Sequence, residues 1–153
     1  MTSPILLIED SDEDADQAIR ALVKLATGRP VIRARDGDEA AGILFMQRVT
    51  PVLILLGLGV PEIDGCILLN MIRAERPLDD VPVCVLTMDD SEHTKAMCIK
   101  AGADGYVTKP VTGVGFAHAV AKLHKRHDAS GEMRALQDEI RGRMRTMRRP
   151  KKR

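Results

Sequence analysis

Residues 51–65 read PVLILLGLGVPEIDG, in which Val52, Leu53, Ile54, Leu55 and Leu56 run without interruption into Gly57 and then into a loop punctuated by Gly59, Pro61 and Gly65. A continuous apolar run with no period-two alternation suits a parallel strand covered by helices on both faces. The stretch therefore reads as a central strand followed by an active-site loop. In open α/β sheets, ligands bind beyond the carboxyl ends of the strands. Gly57 stands at that end and has no side chain to offer.

Outward from this strand, the same unit recurs. Residues 5–8 are a short apolar strand ending in Glu9-Asp10, and Ser11 caps a helix whose first turn carries Asp12, Glu13 and Asp14. Ala15, Ala18, Ile19, Leu22 and Leu25 recur at helical spacing up to Gly28. Val31 and Ile32, flanked by Arg29, Arg33 and Arg35, read as an edge strand. After the Asp36-Gly37 turn comes a helix over residues 38–47, and after the central loop another over residues 65–75, with Ile67, Leu68, Met71 and Ile72 inward and Pro77 as the stop. Residues 83–86 form a fourth strand closing on Thr87, Ser91 caps a helix running to Gly102, and residues 105–108 form a fifth strand ending in Lys109-Pro110. A fifth helix is expected over residues 112–127. Five strand–helix units imply a parallel sheet with right-handed crossovers.

The 153 residues suit one domain, residues 1–128, with an appendage over residues 129–153. With one Tyr, two Phe and no Trp, aliphatic residues and Met must fill the core, and stacking on nucleic-acid bases is nearly excluded. Cys66, Cys84 and Cys98 are odd in number and lack paired metal spacing, so buried reduced thiols in a cytoplasmic protein are expected. No run approaches membrane-spanning length.

The net charge of +1 conceals a division. Residues 131–153 hold nine Lys/Arg against three Asp/Glu, which leaves the preceding 130 residues at −5. Within this basic segment Met133, Leu136, Ile140, Met144 and Met147 recur at steps of three and four, an apolar stripe on a charged helix. A lone helix this short is marginal, so the stripe docks on something: a partner protomer or the domain's own surface. Nucleic acid is disfavoured, because no helix-turn-helix or aromatic platform accompanies the basic residues.

Glu9, Asp10, Gly57, Thr87 and Lys109 fall at the carboxyl ends of strands one, three, four and five and converge on one edge. An acidic pair facing a hydroxyl and a lysine is equipment for a divalent metal and a phosphoryl group. ILLIEDSDEDA, LILLGLGVPEIDG, PVCVLT and GADGYVTKP, in that order over residues 5–125, resemble the receiver domain of bacterial two-component response regulators. The resemblance implies a flavodoxin-like sheet of order 2-1-3-4-5 with helices on both sides. It also implies Glu9 and Asp10 as metal-binding residues, Thr87 as switch hydroxyl, Tyr106 as switch aromatic and Lys109 as the phosphoryl-binding lysine. The acidic loop over residues 11–16 and the absence of an output domain look most like the stand-alone regulators of phytochrome-type histidine kinases.

The departure is at Gly57, where the family carries the aspartate that accepts the phosphoryl group. Glycine cannot form an acyl phosphate. The missing carboxylate is also a metal ligand, so no cofactor is required and Mg²⁺ is expected to bind weakly. Gly59 sits where the family contributes only a backbone carbonyl, a mild change. Glu62 and Asp64 lie on the loop beyond, with a reach and direction unlike the acceptor's. The retained Glu9, Asp10 and Lys109 read as an ion-pair cluster, Thr87 as a cap on its strand, Tyr106 as an edge residue, and the four histidines as solvent-facing.

The expectation is a non-enzymatic, atypical single-domain response regulator acting through phosphorylation-independent contacts with a sensor histidine kinase. It is expected to form a homodimer through the 131–153 stripe or, failing that, through Phe116, Val120 and Leu123. The alternative is a nucleic-acid-associated regulator using the basic segment.

Overall fold

The computed structural model describes residues 3–25, 28–59, 64–123 and 131–147, without the side chain of Met147. Strands β1 (Ile5–Ile8), β2 (Val31–Ala34), β3 (Leu53–Gly57), β4 (Val83–Thr87) and β5 (Gly105–Thr108) form one sheet of order β2-β1-β3-β4-β5. All pairings are parallel, with Ile8 opposite Leu56, Gly57 opposite Leu86 and Thr87 opposite Thr108. This is the expected doubly wound, flavodoxin-like arrangement.

The apolar runs divide by position along each strand. Ile5, Leu7, Leu53, Leu55, Cys84, Leu86 and Val107 face a core shared with α1 (Asp12–Lys24) and α5 (Gly113–Ala121). Leu6, Ile8, Ile54, Leu56, Val83 and Val85 face the other core, covered by α2 (Gly37–Ala41), α3 (Gly65–Ala74) and α4 (Glu92–Ala101). Both faces are buried, which is why the strands show no alternation. β2 is the weak edge strand expected, with only Ala34 fully buried.

Each helix that follows a strand begins with a side-chain cap. Ser11 accepts from the Asp14 N–H at 3.2 Å, Asp36 from Glu39 at 2.7 Å, Asp64 from Cys66 at 2.9 Å, Ser91 from Thr94 at 3.2 Å and Thr112 from Gly115 at 3.0 Å. Each such cap is worth about 1 kcal/mol. The helix expected over residues 38–47 is α2 continued by a π-helical turn, Gly42–Met46, which keeps Ala40, Ile43 and Leu44 on the buried side.

The largest revision concerns the basic segment. A sixth helix, α6 (Glu132–Met147), lies against α5 and completes the α1/α5 core, burying Met133, Leu136 and Ile140 with Met144 packed at its margin. Leu136 and Ile140 lose essentially all contact with water, a gain of about 1.5–3 kcal/mol each. Gln137 donates its amide to the carbonyls of Val120 and Leu123, at 3.1 and 3.3 Å, closing the carboxyl end of α5. Arg29, almost wholly buried, reaches the Ser3 and Glu132 carbonyls, and the Glu132 carboxylate accepts from the Ser3 N–H at 3.2 Å.

The stripe therefore docks on its own domain. Met133, Leu136 and Ile140 are spent inside the chain and cannot form the exposed dimer interface expected of them. Phe116, Val120 and Leu123 are corrected for the same reason, being core residues. The side chain of Met147, residues 124–130 with His124 and His127, and residues 148–153 lie outside the described residues. Among the described residues, no helix is long and apolar enough to cross a membrane.

Candidate functional site

The parallel register carries the ends of β1, β3, β4 and β5 to one edge of the sheet, as expected. Glu9 follows β1 and is 1% exposed. Its Oε1 accepts from the Ser11 N–H at 3.3 Å, and its Oε2 lies 2.9 Å from Lys109 Nζ. The ammonium is the partner of that buried oxygen. A Cβ placed on Gly57 would come 2.6 Å from Glu9 Oε2 and 3.1 Å from the Ile8 carbonyl. The Glu9 carboxylate has thus folded into the space that a side chain at position 57 would need.

Lys109 follows β5, and its N–H donates to the Thr87 carbonyl at 2.8 Å. Its ammonium donates to Asp14 Oδ2 at 2.9 Å while facing Glu9 on the other side, and the side chain is 15% exposed. Burial works against the charged form, but the Asp14 and Glu9 carboxylates outweigh it and hold the Lys109 pKa above its ordinary value.

The expected Glu9–Asp10 pair is split. Glu9 turns inward, whereas Asp10 is exposed, and its main-chain carbonyl accepts from Arg33 at 3.4 Å. Asp14 takes the place at Lys109 that Asp10 was expected to share. In the sequence Asp14 is one of three acids in a helix start, and nothing there distinguishes it. Arg33 was also missed: its guanidinium donates twice to the Glu9 carbonyl, at 3.2 and 3.0 Å, and pairs with Asp12 at 2.7 Å. Hydrogen bonding to Arg33, with Arg35 alongside, holds the Asp12 carboxyl below the usual carboxylate range.

The remaining residues take quieter positions. Thr87 is buried, and its hydroxyl accepts from the Asp89 N–H at 3.0 Å and so faces the β4–α4 loop as a cap. Tyr106 is half-buried against the α2–α4 core, with Lys95 Nζ 4.8 Å from its ring centroid. Gly59 is exposed with open space where a side chain would begin. Asp64 is committed as the α3 cap, and Glu62 lies outside the described residues. His93 and His118 are exposed. All three cysteines are free; Cys84 and Cys98 are buried as expected, but Cys66 is only half-buried. Burial pushes the Cys84 thiol up to about 12 and raises the other two, so none is a ready thiolate.

A divalent metal needs several converging oxygens. Here Glu9 is paired with an ammonium, Asp10 is turned outward and Gly57 contributes no side chain. Among the described residues, no group of three or more acidic, His or Cys side chains is arranged to hold a metal. The residues do not fit the ion that a receiver resemblance implies.

Residues 5–121 match the model of the family described as the response regulator receiver domain. The chain belongs to this family. It is 36% identical over 111 residues to the transcriptional regulatory protein PrrA of Mycobacterium tuberculosis, covering 72% of this chain but 45% of that protein. The chain therefore spans about half the length of such relatives. Among solved structures, the receiver is similar to the bacteriophytochrome response regulator RtBRR at 28% identity and a TM-score of 0.73, over 100% of this chain and 99% of that one. The bacteriophytochrome response regulator AtBRR matches at 32% identity and a TM-score of 0.72, over 80% and 93%.

Proposed function

We propose that this receiver regulates a two-component pathway through protein contacts that do not depend on phosphorylation. Position 57 supports the reading: the acceptor aspartate is a glycine, its side-chain space holds the Glu9 carboxylate, and the phosphoryl-binding lysine is engaged by Glu9 and Asp14. Without an acyl phosphate, no new oxygen draws Thr87 inward, and its hydroxyl stays with Asp89. The kinase partner is of the phytochrome type, a reading supported by full-length similarity to RtBRR. The protein acts in the cytoplasm, catalyses no reaction and requires no cofactor. Its homodimer uses a surface other than the α5–α6 core; α4 is the candidate, because it buries Cys98 and leaves Met97 and Ile99 exposed.

Binding to a phytochrome-type histidine kinase, measured by calorimetry with and without ATP, tests the proposal. Equal affinity in both conditions is expected. A change in affinity that tracks phosphoryl incorporation into this chain would contradict it.

A second reading draws on the PrrA name and on the charge of the segment after residue 130. In it the basic segment contacts DNA, and the association weakens steeply with salt and is lost when residues 141–153 are removed.

A further inference from the structure

Helices α5 and α6 do not close completely on each other. Along one side of their contact they leave a groove of about 400 Å³, within the roughly 300–1,000 Å³ of ligand-sized clefts. Ala117 and Ala121 stand one turn apart on α5, and their short side chains leave the trough open; Ile140 and Met144, one turn apart on α6, form the other wall. The floor is therefore aliphatic. Arg141 and Arg145 stand along the α6 edge and His118 along the α5 edge, all three exposed. Arg141 shares its charge with Asp138 at 3.4 Å, an exposed pair of little strength, and Arg145 makes no ion pair among the described residues. The α6 wall lies beyond residues 5–121, so the groove is no part of the matched receiver domain.

An aliphatic trough with a cationic rim selects its occupant by charge. Residues 148–153 carry five Lys/Arg and no acid, and residues 124–130 carry two against one Asp, so neither run of this chain is the complement. A second copy joined two-fold through the groove would set one arginine rim against another. Duplex nucleic acid offers phosphates but nothing to fill an aliphatic floor, and helices that bind membranes present a convex apolar face, not a recess between two helices. We propose that the α5–α6 groove docks an acidic amphipathic helix of a partner protein, its aliphatic side chains seated over Ala117 and Ala121 and its carboxylates paired with Arg141 and Arg145. Apolar residues at i and i+4 match the one-turn spacing of the two alanines, and flanking carboxylates at the same spacing reach the two arginines. This rests on the reading that the chain acts through protein contacts, and it names the surface and the chemistry of the partner.

Fluorescence anisotropy of a labelled helical peptide of roughly 16 residues, with leucines at helical spacing and glutamates beside them, tests this on the full chain. Saturable binding that weakens with salt is expected. Arg141→Glu/Arg145→Glu should weaken it at least about tenfold, and that variant should instead bind the same peptide with lysines in place of glutamates. Both arginines are exposed, so an unchanged Tm separates lost binding from lost folding. Ala121→Met, which fills the trough and keeps both arginines, should cost at least about fivefold. No saturable binding, equal binding of a scrambled peptide of the same composition, or the same arginine-dependent affinity for duplex DNA or phosphatidylglycerol vesicles would overturn the proposal. Labelling by acetyl phosphate decides the phosphorylation-independent reading and does not enter this assay, so the two fail separately.

Discussion

Two buried ion pairs lie at opposite ends of strands β4 and β5, and they are built differently. At the amino end, Arg73 and Asp104 meet at 2.7 Å, and the same Asp104 oxygen accepts from the Val83 N–H at 2.9 Å. Arg73 also donates to the carbonyls of Gly102 and Val81, at 2.9 and 2.7 Å, tying the α3–β4 and α4–β5 connections together. At the carboxyl end, Lys109 sits between Glu9 and Asp14, a single ammonium 2.9 Å from an oxygen of each. A complete network is what a structural lock requires, since each buried polar group is satisfied. The carboxyl-end group instead shares one ammonium between two carboxylates and is left with a net negative charge.

This contrast ranks the consequences of breaking each pair. Asp104→Ala should be the more damaging, because it leaves the Arg73 guanidinium buried without its counter-charge, at a cost of about 3–5 kcal/mol in urea unfolding. A loss below about 1 kcal/mol would show the lock to be no tighter than a surface pair. Lys109→Met should cost less, about 1–3 kcal/mol, because Asp14, one of the two acids it pairs with, is 31% exposed and stays hydrated without the ammonium. If Lys109→Met proved the costlier, the two ends would not differ in the way the hydrogen bonds indicate.

The smallest effect should come at Glu132, where the Ser3 N–H and the Arg29 guanidinium hold the carboxyl below its ordinary value. A depressed carboxylate stabilises the folded state above its unfolded pKa, and that contribution fades as pH falls through the folded value. Protection of α6 amides in hydrogen exchange should therefore hold at neutral pH and decline only below the ordinary glutamate range. Decline near pH 7 would assign the α6 contact to some other group.

Most of the fold was legible because its signals are local. Apolar runs, the caps Ser11 and Ser91, and the stops at Gly28 and Gly102 each declare an element without reference to the rest of the chain. The site was legible only as a list of strand ends. Which acid meets Lys109 depends on how α1 leans over the sheet edge, and the Asp10–Asp14 exchange follows from a rotation that residue identity does not encode. Likewise, the stripe on α6 announced a partner but not which one. Met133, Leu136 and Ile140 look the same whether they face a second protomer or their own α5, and the deciding contacts, Gln137 to Val120 and Arg29 to Glu132, join residues far apart in sequence.

On the proposed function, the absence of a carboxylate at residue 57 closes the pocket to phosphorylation. Intact-mass measurement after incubation with acetyl phosphate and Mg²⁺ tests it most directly, with Gly57→Asp run beside the wild type. The wild type should remain unmodified and Gly57→Asp should gain a phosphoryl adduct, its new side chain pushing the flexible tip of Glu9 aside and restoring an acceptor next to Lys109. A stable phosphoryl adduct on the wild type, mapping to the pocket, would contradict it.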